Sequence, residues 1–165
     1  MTLKKIEEAK KFIARDREEV VDILVDFSIT DLLIFWGTEK ELLLRQEQQW
    51  KPILNWLEEL LSVKFNYSSG LDVPNQHPET NNRIRAFVSG LSEDELAVYY
   101  ASTMILRSTL LAMAFVKKRI DAEEAFQASF IEELWQAESW GIVVEAEERR
   151  SAILAELKFL EKVLK

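Results

Sequence analysis

The chain is nearly empty of the residues that end helices. It has four glycines and three prolines in 165 residues. The glycines are Gly37, Gly70, Gly90 and Gly141, and the prolines are Pro52, Pro74 and Pro78. Between these marks apolar residues recur at helical spacing, and strand-like alternation never lasts more than a few residues. An all-α fold is expected: one helical bundle of a single domain over 1–165. Helix starts are written locally. Thr38–Glu41, Ser92–Glu95 and Asp121–Glu124 all read as capping boxes, in which an oxygen caps backbone N–H groups and a Glu three residues on reaches back.

These signals predict an ordered set of elements. Residues 3–27 read as one or two amphipathic helices. The apolar run Leu32–Trp36 follows and is closed by Gly37. A helix from Thr38 to about Leu61 is expected to kink at Pro52, which lacks an N–H and clashes with the preceding turn. Residues 63–78 are irregular, with Val63–Tyr67 as a short extended stretch. A short helix covers about 79–88. The bundle centre is assigned to a helix over about 93–118, whose only charge between Ala97 and Val116 is Arg107. That charge, with hydroxyl residues around it, argues against a membrane span and for a helix surrounded by neighbours. A helix over about 122–140 and a last one from about Val144 complete the set.

Charge narrows the function classes. The net charge is −8, from 21 bases and 29 acids. Asp121 to Glu148 holds nine of those acids and no Lys or Arg, leaving 20 acids against 21 bases elsewhere. Such a chain lacks the basic footprint of a nucleic-acid binder and does not suit an anionic membrane surface. The absence of cysteine removes disulfides, thiolate nucleophiles and thiolate metal sites. The start of the chain is charged and helix-like, without a signal or transit-peptide pattern.

Catalytic chemistry finds little material. The one histidine, His77, lies in a Pro-flanked loop and reads as a surface residue. There is no Glu-x-x-His pair for a bundle metal site and no glycine-rich phosphate loop. Catalytic residues, metal ligands and cofactors are therefore all expected to be none. Neighbouring carboxylates such as Glu58-Glu59 point about 100° apart on a helix and read as a solvated face.

Glu133 stands apart. At about 100° per residue it falls inside the apolar stripe of the 122–140 helix, between Trp140 and Phe126. Glu132 and Gln136 lie on the polar border. A carboxylate on a buried stripe needs a partner. Either it closes a buried structural ion pair with Arg107, or it is half-buried and available to a partner's basic group. Trp135 and Ile131 fall on the opposite face, among Glu124 and Glu138. They form either an exposed apolar patch with an acidic rim or a surface packed against the 144–164 helix.

The segment Asp121-Ala122-Glu123-Glu124-Ala125, with Ser129, Glu132-Glu133, Trp135-Gln136, Glu138 and Trp140-Gly141, resembles the ATP12 family of F1 ATP synthase assembly chaperones. Other stretches agree in order: Thr30-Asp31-Leu32-Leu33, then Gln49-Trp50-Lys51-Pro52 with Trp56, then Gly70 and Pro74, then Leu106-Arg107-Ser108. The resemblance covers roughly Arg15 to Leu160, the C-terminal helical domain of the family. It implies a non-enzymatic chaperone that binds the free F1 α subunit and shields its β-facing surface. It implies a partner-binding patch of Glu133, Glu132, Gln136 and Trp140, beside Trp135 and Glu138. It places such a protein in a bacterial cytoplasm or, in a eukaryote, the mitochondrial matrix. The sequence departs from the family in three ways: the β-rich N-terminal domain is expected to be absent, Phe35-Trp36 stands where Tyr-Arg is common, and Phe130 replaces an arginine. The alternative function is a general all-α interaction adaptor using residues 121–148; an enzyme with Glu133 in a closed cleft comes third.

Overall fold

The computed structural model describes residues 2–164. Eight helices follow one another: α1 (Thr2–Ile29), α2 (Lys40–Leu61), α3 (Pro78–Ser89), α4 (Glu93–Leu106), α5 (Thr109–Val116), α6 (Ala122–Ser129), α7 (Ile131–Trp140) and α8 (Val144–Val163). The fold is all-α. Among the described residues the β pairing is limited to one parallel bridge, Phe35 to Ser68.

The predicted centre is correct in place and wrong in continuity. Every residue of α5 is buried, as an element apolar on all sides must be. The expected 93–118 helix is nevertheless two helices. Arg107 turns left-handed (φ 57°, ψ 30°), and Ser108 restarts the chain as the N-cap of α5, its hydroxyl accepting from Leu111 N at 3.0 Å. The expected 122–140 helix is also two, with Phe130 (φ −105°, ψ 23°) between them. The two breaks meet. The Ser129 hydroxyl donates to the Leu106 carbonyl at 2.7 Å, satisfying a backbone acceptor that the end of α4 leaves open.

Local caps explain most other boundaries. The Ser92–Glu95 and Asp121–Glu124 boxes form in both directions. The Thr38–Glu41 box does not. The helix starts one residue later, at Lys40, without a side-chain cap, and the Glu41 carboxylate accepts from the Trp135 indole (3.1 Å). A Cβ at Gly37 would sit 2.8 Å from Leu42 Cδ2, so a larger residue there would push that side chain aside. α1 is two helices in one, with non-helical Asp16 (φ −159°, ψ 83°) accepting from Glu19 N to open the second half. α2 remains one helix through Pro52.

Residues 63–77 form the expected irregular segment, held by Glu58. Its carboxylate accepts from Phe65 N at 2.8 Å, so Glu58 is a loop anchor rather than part of a solvated face. His77 caps α3, its Nδ1 accepting from Glu79 N at 3.1 Å. α2 ends on Ser62 in the left-handed region (φ 56°), with Val63 N bonded back to the Glu58 carbonyl. This is the geometry glycine adopts without a steric penalty. Ser62→Gly is expected to stabilise the fold by about 0.5–1 kcal/mol, read as a higher urea midpoint at unchanged slope.

Candidate functional site

The break at Phe130 decides what α7 presents. Ile131 is buried, Glu133 and Gln136 are half-buried, and Glu132 is exposed. Glu133 does not close a sealed pair with Arg107. The left-handed turn swings the Arg107 side chain outward, where it is 59% exposed and 3.6 Å from Glu133 Oε2. The closer partners come from α8: Arg149 at 2.9 Å and Arg150 at 3.3 Å, both on Oε1. Arg150 is the buried member, its side chain 8% exposed. Glu133 is thus a hub for three arginines from two other parts of the chain. A charged arginine without its carboxylate would be costly at such depth, which explains why an acid occupies this stripe.

Phe130 completes the hub. Its ring is almost fully buried. The guanidinium carbons of Arg107 and Arg149 lie 5.1 and 6.0 Å from its centroid. Cation–π attraction and the Glu133 carboxylate therefore hold the same two arginines.

Next to this hub runs an open groove of about 720 Å³. Glu132, Glu133 and Gln136 form one wall, and Phe27, Leu32, Phe35 and Trp36 supply apolar surface. The aromatics are fixed: Trp36 stacks edge-to-face on Trp50 and on Tyr67, and the Trp50 indole donates to the Ala128 carbonyl at 2.9 Å. Phe35-Trp36, the pair that departs from the family pattern, thus becomes groove surface.

The six residues of the predicted patch divide. Three of them, Glu132, Glu133 and Gln136, share the groove. Trp135 and Glu138 turn to α2, where Trp135 meets Glu41 and Glu138 pairs with Arg45. Trp135 is half-buried against α2, so it neither forms an exposed patch nor packs on the 144–164 helix as its alternatives had it. Trp140 is 79% exposed at the end of α7. It lies seven residues beyond Glu133 in the same helix, and as the last residue of α7 it sits about two turns further along, past the elements that half-bury Glu133.

Sequence reasoning missed Asp31. It is fully buried at the head of a short 3-10 turn, Leu32–Ile34. Its carboxylate accepts from Leu33 N (3.1 Å), Leu110 N (3.1 Å) and the Ser108 hydroxyl (2.7 Å). It therefore holds the α4–α5 break from 77 residues away. Burial pushes its carboxyl up to about 6, against the pull of these hydrogen bonds. An acid directly before a five-residue apolar run was the available signal.

Among the described residues, no group of three or more His, Asp or Glu is placed to hold a metal ion. None of their helices is long and apolar enough to cross a membrane.

No protein-family profile matches the chain. It is 27% identical over 145 residues to the mitochondrial protein atp12 of Schizosaccharomyces pombe, a match covering 84% of this chain and 50% of that one. The chain thus spans about half the length of this curated relative. It superposes on Atp12 from Paracoccus denitrificans, and on a point mutant of that protein, each with a TM-score of 0.88 and 29% identity over 94% of this chain and 67% of the other. The Atu1473 protein of Agrobacterium tumefaciens, named provisionally as a chaperone, gives a TM-score of 0.87 at 29% identity, over 94% of this chain and 59% of its own.

Proposed function

We propose that this chain, which is similar to the ATP12 family in sequence and in fold, acts as an assembly chaperone for the F1 part of ATP synthase, holding the free α subunit until its β partner arrives. The observation that carries the reading is the groove beside α7. It combines rigid aromatic surface with an exposed acid, Glu132, and a half-buried amide, Gln136, on one wall. Aromatic anchors with a polar rim are an interface composition. The groove is open, as a protein surface requires. Glu133 supports it from beneath by fixing the arginines behind the wall.

Co-expression with an F1 α subunit tests the reading. Soluble α that co-elutes with this chain is the expected result. Glu132→Lys should weaken that complex by about tenfold, chiefly through the association rate, because rim charges steer encounter. An α subunit that stays insoluble, with no complex eluting, overturns the proposal.

A further inference from the structure

A second cleft lies across Arg107 and Phe130, which line both it and the groove. It has a volume of about 760 Å³ and is bounded by the first half of α1, the end of α4 and the middle of α8. Its surface is apolar where Phe12, Tyr100, Met104 and Ile153 meet. Phe12 and Tyr100 pack edge-to-face at 5.8 Å, while Met104 is left 40% exposed. Rigid rings beside an adaptable thioether suit the seating of apolar side chains.

The rim has the opposite sign to the protein. Five bases, Lys5, Lys11, Arg15, Arg107 and Arg149, face two acids, Glu8 and Glu156, on a chain of net charge −8. Three of the bases already have carboxylate partners: Lys5 pairs with Glu156 at 2.7 Å, and Arg107 and Arg149 share Glu133. Among the described residues Lys11 and Arg15 have no carboxylate within ion-pair distance, and both are exposed. Arg15 lies over the Phe12 ring at 5.1 Å.

We propose that this cleft docks an acidic amphipathic helix of the client, with apolar side chains on the Phe12–Met104 surface and carboxylates against Lys11 and Arg15. Charge complementarity selects the partner, since the acidic remainder of the chain repels an acidic segment and this rim attracts it. The cleft is walled by helices whose backbone groups bond internally, so it offers side chains and no strand edge. That favours a helix over an extended peptide. Only the identity of the client as an F1 subunit rests on the function proposed above; the chemistry of the cleft does not.

The test has two arms. In the first, the isotope-labelled chain is titrated by NMR with a synthetic helical peptide bearing leucines on one face and glutamates on the other, then with its lysine counterpart. Shifts should centre on Phe12, Tyr100, Met104 and Ile153. The glutamate peptide should bind about tenfold more tightly, and the Lys11→Glu/Arg15→Glu double variant should lose that preference. Equal binding of the two peptides, or shifts confined to other surfaces, overturns the proposal. So does seating of laurate but not of the peptide, or self-association of the chain that the double variant abolishes. In the second arm the same variant is co-expressed with F1 α, and about tenfold weaker retention is expected. Equal retention by wild type and variant overturns the docking and leaves the chaperone reading standing. If wild type holds no α while the glutamate peptide still seats in the cleft, the F1 reading falls and the cleft stands.

Discussion

Asp31→Ala should cost the fold about 3–4 kcal/mol, measured by urea unfolding. The substitution strands three donors that are buried with the carboxylate: Leu33 N, Leu110 N and the Ser108 hydroxyl. Ser108 is also the cap of α5, so the loss reaches the most deeply buried helix of the bundle. Asp31→Asn should be milder but still destabilising, because its amide nitrogen must face an N–H or a hydroxyl that needs an acceptor. The same residue gives a pH signature of fixed sign. Its carboxyl rises from 3.8 to about 6 on folding, so the native state binds the proton more tightly than the unfolded chain. The stability this provides is fully present below 3.8 and is lost as pH rises through about 6. The stability of wild type relative to Asp31→Asn should therefore fall by on the order of 2–3 kcal/mol between about pH 4 and about pH 7.5. A difference that stays flat or grows with pH would sink this account.

Glu133→Ala is the second large effect, at about 2 kcal/mol, moderated by the partial exposure of the carboxylate. It leaves Arg150 charged and nearly buried without the acceptor 3.3 Å away. Adding Arg150→Met should recover most of the loss, since the desolvated charge goes with its partner. Binding of F1 α should be followed in the same two variants. If the double variant is as stable as wild type yet holds no client, the carboxylate itself touches the client. If stability and binding return together, Glu133 acts as the support described above.

Sequence and structure agree where the controlling interactions are local. Ser92 and Asp121 cap helices because their partners are three residues away. Thr38 does not cap α2, and the Glu41 that would complete its box instead meets a tryptophan 94 residues further on. The breaks at Arg107 and Phe130 were invisible for the same reason. The first is held by Asp31, 77 residues away, and the two are joined by the Ser129–Leu106 bond across 23 residues, and apolar periodicity carries no mark of either contact. Glu133 was identifiable as a misplaced acid on an apolar stripe. Arg107 was identifiable as one partner and does approach it, at 3.6 Å, but the closer two were not, because Arg149 and Arg150 belong to a helix whose register against α7 no local pattern encodes. Trp140 was misjudged because a helical wheel gives direction and not position along the axis, and this residue closes α7 where no neighbour covers it.

The pairing of Lys5 with Glu156 joins positions 151 residues apart, across the cleft between α1 and α8. A chain made from its N-terminus builds the α1 and α4 walls early but lacks the third wall of the cleft until α8 emerges. Contacts of such sequence separation form late and set the pace of folding. The cleft is therefore late to mature, and a nascent chain still lacking α8 cannot use it. Competence to dock a partner there arrives together with closure of the bundle by α8.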